Sequence, residues 1–331
     1  MSGLSEDKIA RVSALMASLP GDMAERMCAA ARKADPALGR LLDYCRDGPD
    51  ASARRLFFAP LADVSGEPGE DRPSRAYAPQ ALQRAVWDWL GDIAPAAMQA
   101  VREAAADFAD ETPGRLDPAR VEAAEAMLAR LKALDEDPKA AKKMRARFGV
   151  ADFEPLRHLA GLLRATPVTR TALEGLPAFI PDLPDDLSAS VRDRHEAASE
   201  ADPDAGVWAL FLIMARMDRP WRLLRVFEKI ARRGDDLVVS RTDMAEIGDA
   251  LLLDAEHHLT GFAAPPQTFE QAEAAARALT DFAAVTVGMT REIGIRKDGA
   301  WGQKLFELRS RASEQMGRIH EAAVDAFKRA T

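Results

Sequence analysis

Apolar side chains recur along this chain at steps of three and four, the period of a helix with one covered face, and almost nowhere in strict alternation. After Asp35-Pro36, Leu38, Leu41 and Leu42 fall on one side of Asp35 to Arg46. From Val121 to Leu134, Ala124, Leu128, Leu131 and Leu134 do the same, and Leu82, Val86, Trp89, Leu90 and Ile93 form a third stripe. Helix starts are punctuated consistently. Asp35-Pro36, Asp117-Pro118, Asp137-Pro138 and Asp202-Pro203 each place an acid at the N-cap and proline at the first helical position. There the carboxylate accepts an orphan amide, and the proline gives up no bond it would have made. Strand signals are poor: Leu237 to Ser240 has an extended character but no alternating partner. The pattern predicts an all-α, multi-helix bundle assembly with little or no β-sheet, and no fixed-period repeat points to a solenoid.

The connections divide the chain. Residues 63–76 are rich in Gly, Pro and acid with almost nothing to bury, and are expected to form a mobile acidic loop. Pro177, Pro181 and Pro184 exclude a helix from the stretch around them and predict an extended connector over 177–186. The expected organisation is therefore an N-terminal helical region 1–62, the loop, a middle bundle 77–176, the connector, and a C-terminal bundle 187–331. The last element is expected to be a long antiparallel hairpin, 268–329. Its first helix, capped by Thr268, carries Ala272, Ala276, Leu279, Ala283, Thr286 and Ile293. Its second carries Trp301, Leu305, Leu308, Ala312, Met316, Ile319, Ala323 and Phe327. Helices of about 25 residues at 1.5 Å each reach roughly 40 Å, long enough for a structural hairpin or for one that dimerises.

Composition narrows the setting. Of 331 residues, 47% are hydrophobic, 30% charged and only 6% aromatic, which is globular rather than disordered and suits Ala/Leu helix packing. A net charge of -8 disfavours general affinity for nucleic acid or anionic lipid, though a local basic face remains able to bind either. The opening residues are interrupted by Glu6, Asp7, Lys8 and Arg11, and the longest apolar run, Val207 to Ala215, is about half the length of a membrane-spanning helix. No membrane span and a cytoplasmic setting are expected, with Cys28 and Cys45 reduced by default. The Ala-, Arg- and Asp-rich, Asn-poor composition is of the kind GC-rich bacterial genomes encode.

Motifs that carry chemistry are missing. Neither a phosphate-binding G-x-x-x-x-G-K-[ST] nor a dinucleotide G-x-G-x-x-G after a strand occurs, and G-x-S-x-G is absent, so neither a cofactor nor a catalytic residue is expected. Asp254 and His258, four apart on one helix, are weak metal candidates, because no other helix brings matching ligands. Histidines in a last helical turn also complement the helix dipole at the surface with no metal at all.

One surface stands out. In Met217 to Arg233, with a helix starting at Pro220, Leu223, Leu224, Phe227, Ile230 and Ala231 fall on one side. Arg222, Arg225, Lys229, Arg232 and Arg233 gather on the other, beside Trp221. Like charges at these spacings repel by a few tenths of a kcal/mol per pair, so the face is neutralised either by another segment or by a ligand. The internal candidates are acids of the preceding stretch, among them Asp182, Asp185 and Asp186. Trp87, at the edge of its helix's stripe, packs on a different element or forms an interface with a partner. Leu56 to Leu61 plugs a bundle end or docks. These features favour a non-enzymatic interaction or regulatory protein that binds a protein partner through helical surfaces, with an acidic surface as the match for the basic face, or that pairs as a homodimer. The alternatives are an enzyme or small-ligand sensor with an anion on the basic face, and nucleic-acid binding, which lacks the aromatic interleaving expected of it.

Overall fold

The computed structural model describes residues 6–66, 78–107, 114–231, 241–293 and 300–330, and for 6, 66, 203, 227–231, 241–245, 293 and 322–330 the description extends to the backbone alone. Among these residues the chain is all-α. In order the helices are α1 Glu6–Ser18, α2 Gly21–Ala34, α3 Pro36–Asp47, α4 Pro49–Phe58, α5 Gln80–Ile93, α6 Pro95–Asp107, α7 Asp117–Asp135 and α8 Pro138–Phe148. They continue with α9 Glu154–Arg164, α10 Thr166–Leu173, α11 Asp185–Ala201, α12 Pro203–Met214, α13 Arg222–Ala231, α14 Arg241–Thr260, α15 Phe269–Ile293 and α16 Ala300–Ala330. The extended exceptions are a two-residue parallel pair, β1 (Ser65–Gly66) with β2 (Ala78–Pro79), and a single bridge from Ile180 to Met217. Most of the expected acidic loop and all of Leu237 to Ser240 lie outside the described residues.

Contacts gather the chain into two compact units. Unit 1 takes Met1–Ala62 with Gln80–Arg170; unit 2 takes Asp63–Pro79 with Thr171–Thr331. The segments expected as an N-terminal region and a middle bundle thus share one unit, because α4 packs on α6 and α6 on α7.

Three of the four Asp-Pro expectations meet their geometry, two in unit 1 and one in unit 2. Asp35 accepts from the amides of Ala37 and Leu38, and Asp137 from those of Lys139 and Ala140. In unit 2, Asp202 accepts from Asp204. Asp117 does something else. It lies within the first turn of α7, buried, and its carboxylate accepts from Arg120 Nη1 and Arg170 Nε, each at 3.1 Å. Arg120, 2% exposed, also donates Nε to the carbonyl of Phe57 and Nη2 to that of Leu56, both at 2.8 Å. Those carbonyls lie in the last turn of α4, where that of Leu56 also accepts from the Ala59 amide. A buried guanidinium therefore closes one helix while its charge is met by the first turn of another.

The core of unit 1 follows the expected stripes with small rotations. Leu82, Val86, Trp89 and Leu90 are buried on α5, and Met127, Leu131 and Leu134 on α7, while Leu38 stays exposed. Phe57, Phe58 and Leu61 are buried at the end of α4, so this segment plugs the bundle. Cys28 and Cys45 are free thiols in a cluster built by α1 to α3, and burial pushes the Cys28 thiol above its ordinary value. α8 stops at Gly149, whose φ of 65° is left-handed, with its amide donating to Arg145.

Unit 2 is organised around α12. Its run from Trp208 to Met214 is buried on every side, which is why the sequence there shows no stripe: a helix covered all round has no polar face. α11 and α14 pack on it. The long terminal helices depart from a simple hairpin. α15 and α16 each pack more extensively on α14 than on each other, and their direct meeting includes Arg309 Nη2 donating to Thr286 O at 2.8 Å and Thr290 Oγ1 at 3.0 Å. Gly248 makes the α14–α16 approach so close that the indole of Trp301 occupies the space a Cβ would take, with its Nε1 donating to Asp249 at 3.2 Å. Thr268 caps α15 through the Gln271 amide. The covered stripe of α15 is rotated from the alanine pattern: Phe282, Val285 and Met289 are buried, while Ala276 and Ala283 are exposed.

Candidate functional site

The basic helix predicted from sequence is α13, and it begins two residues later than Pro220. Pro220 and Trp221 form a tight turn before it, with the amides of Leu223 and Leu224 donating back to their carbonyls at 3.1 Å. Leu223 and Leu224 are fully buried, as the amphipathic pattern requires, and hold the helix against unit 2. Arg222 and Arg225 consequently face away from that core.

Neither arginine stands alone. Arg222 Nη1 pairs with Asp182 at 3.2 Å, and its Nε with Glu292 at 3.7 Å; Arg225 Nη1 pairs with the other Glu292 oxygen at 3.9 Å. Asp182 belongs to the acidic stretch that the sequence nominated. Glu292 does not: it sits in the last turn of α15, and no local pattern connects it to α13. Upstream, Arg216 pairs with Asp63 at 2.8 Å. Trp221 is half-buried, its indole laid where Gly288 of α15 has no side chain. The described part of the basic face is thus engaged by its own unit. Exposure still distinguishes its members, since the Arg225 side chain is 57% exposed and that of Glu292 only 12%. The side chain of Lys229, and Arg232 and Arg233 altogether, lie outside the described residues.

The remaining sequence candidates resolve separately. Trp87 is 1% exposed, and the element it meets is α4: its Nε1 donates to Asp50 at 3.0 Å, its ring lies 5.7 Å from that of Phe57, and Arg102 covers it at 5.6 Å. It is a core residue of unit 1, with its polar edge satisfied internally. Asp254 and His258 are not the surface cap that a last-turn histidine implies. Both are buried on α14, with Oδ2 and Nε2 3.6 Å apart, and among the described residues no group of three or more potential ligands gathers to hold a metal. Their neighbour Glu256 turns outward to α16, meeting Arg311 at 2.6 Å and Lys304 at 3.1 Å. The hydrogen bond from Arg311 holds its carboxyl below the usual range.

What the sequence did not signal is where coverage ends. On α16, Leu305, Leu308 and Ala312 are buried, yet none of residues 313–321 is. The apolar stripe continues through this stretch: Met316 is 47% exposed and Ile319 half-exposed. On another flank Phe306 is 74% exposed, and Phe269 at the start of α15 is 83% exposed. Compared with known proteins, the chain matches no family model, no curated protein and no solved structure. No helix among the described residues is long and apolar enough to cross a membrane.

Proposed function

We propose that this protein is an interaction or regulatory protein that binds a protein partner through the terminal helices of unit 2. One observation carries the reading: the apolar stripe of α16 outlasts its own cover, buried as far as Ala312 and then presented at Met316 and Ile319. Apolar side chains repeated at helical spacing on an uncovered face are the pattern by which one helix lies against another, and large exposed apolar areas on soluble chains mark interaction sites. A homodimer is one form this partnership takes.

The test places a photo-crosslinking residue at Met316 and, in separate protein, at Leu15, which is exposed on unit 1. Adducts from Met316 that disappear with Ile319→Glu, while Arg222→Glu with Arg225→Glu leaves most of them, are the expected result. Equal crosslinking from Leu15, or none from Met316, defeats the reading. Adducts of doubled mass that persist with purified protein identify a second copy as the partner.

A further inference from the structure

On α16 the residues that hold the helix to its own unit lie on two sides. Trp301, Lys304 and Arg311 meet α14 at Gly248, Asp249 and Glu256, and Arg309 meets α15. Another row of residues runs along the outside. Phe306, Ser310, Ser313 and Gly317 follow one another at steps of four, three and four, which sets them in one line on the helix. Phe306 is 74% exposed, Ser313 and Gly317 are exposed, and Ser310 is half-buried.

Gly317 is the telling member. Glycine inside a helix lowers its stability, and where one serves close packing a neighbour fills the space, as Trp301 does at Gly248 and Trp221 at Gly288. At Gly317 a Cβ would meet nothing within 4 Å. The gap is open, and no group of the same chain among the described residues uses it.

The row reads the same from either end. Steps of four, three and four are unchanged by reversal, so a second α16 laid antiparallel, about a two-fold axis between Arg311 and Ala312, sets row on row. Phe306 of each copy then meets Gly317 of the other, bulk against open space, and Ser310 meets Ser313. The charges repeat the arrangement. Glu307 and Arg318 each follow the end of the row by one residue, on the same side of it, and among the described residues neither has a hydrogen bond or an ion pair. In an antiparallel pair like sides adjoin, so Glu307 of each copy comes within about 3 Å along the axis of Arg318 of the other.

We infer that α16 binds a second copy of this chain, antiparallel, through the row from Phe306 to Gly317. The inference rests on the reading of α16 as a docking surface and names the partner. A partner of different sequence asks for no relation between the two ends of the row. A second copy does, because under a two-fold axis one surface must carry both halves of every contact. Here ring and gap, acid and base, stand at matching distances from one midpoint. The row covers roughly 17 Å of helix, short for an interface, so the dimer forms and dissociates readily.

Sedimentation velocity of the purified full chain over a concentration series tests it. Wild type passes from monomer to dimer as concentration rises. Phe306→Ala raises the dissociation constant roughly tenfold for each of the two rings it removes. Gly317→Leu fills the gap and weakens the dimer by a similar factor, yet raises the melting temperature of dilute, monomeric protein, which mere damage to the fold would not do. Glu307→Arg and Arg318→Glu each set like charges together and weaken the dimer severalfold at low salt; both changes in one chain restore it. Circular dichroism confirms the helicity of each variant. A chain that stays monomeric at every concentration overturns the inference, and leaves the docking surface standing where Met316 still crosslinks to another protein. Loss of the Met316 adducts as well defeats both. A dimer that Gly317→Leu leaves as tight as wild type, or charge reversals that the double variant does not rescue, also overturns it.

Discussion

Arg120 in unit 1 and Arg222 in unit 2 both lie at the start of a helix beside carboxylates, yet they are held in different ways. Arg120 has lost almost all contact with water. It meets Asp117 at 3.1 Å and two carbonyls at 2.8 Å, so its charge and its donors are used together. Arg222 keeps 29% of its side chain exposed and reaches its acids at 3.2 and 3.7 Å. The first is an element of architecture, because removing it strands partners that water does not reach. The second is a surface adjustment that water and salt can replace. Local sequence shows the charges in both cases and the burial in neither.

The largest effect expected from this contrast is at Arg120. Arg120→Met takes the guanidinium donors away from the carbonyls of Leu56 and Phe57 and leaves Asp117 buried with Arg170 as its ion partner. Breaking a buried pair from one side costs about 3–5 kcal/mol, and unit 1 should lose stability on that scale. Amide exchange in α4 and α7, together with urea unfolding, measures it. A loss under about 1 kcal/mol would show that the burial of this group matters little and remove the contrast.

At α13 the expectation is smaller. Arg222→Ala and Arg225→Ala should each cost under about 1 kcal/mol, the scale of partly exposed ion pairs, and the cost should shrink further in high salt. Glu292→Gln removes the acid they share and should be no worse than the two single changes combined. A cost above about 2 kcal/mol for either arginine would mean that α13 is locked down as firmly as Arg120, and would remove the contrast between the two.

How much of this was legible beforehand depends on whether a feature is written locally. The Asp35, Asp137 and Asp202 caps and the Thr268 cap were, because a cap is made by residues two and three positions apart. Asp117 carries the same Asp-Pro signature and was taken over by Arg120 and Arg170, the latter supplied by a different helix. The stripe on α15 was drawn through alanines, which barely distinguish one face from another; Phe282, Val285 and Met289 decide the packed side by bulk. The basic face of α13 was visible, and so was Asp182, but Glu292 comes from the far end of a helix that only the fold brings near. The arginines that line a cavity among α3, α4 and α6 in unit 1 were invisible for the same reason. Arg40, Arg55 and Arg115 belong to three separate stretches, and none forms a motif alone.

The smallest effect expected joins α14 to α16 at Glu256. Its hydrogen bond from Arg311, reinforced by Lys304, lowers the carboxyl below its unfolded value. Because the folded state then releases its proton more readily, the unfolded state binds more protons in the window between the two values, and stability rises with pH across it. The contribution is present above the ordinary carboxylate range and is lost as pH falls through the depressed folded value. Wild type should therefore exceed Glu256→Gln by a constant, small margin near neutral pH. The margin should close as pH drops below the usual glutamate value of about 4.3. Since a third of the Glu256 side chain is exposed, 33% by area, solvent screens most of the pair, and the margin belongs with α13 rather than with Arg120. Unfolding curves of the two proteins along this pH series measure it. A margin that stays constant to the acid end would assign the difference to packing of the side chain and not to its charge. A margin as large as the Arg120 effect would mean that the α14–α16 contact is held by its ion pairs more than by Trp301, Leu305 and Leu308.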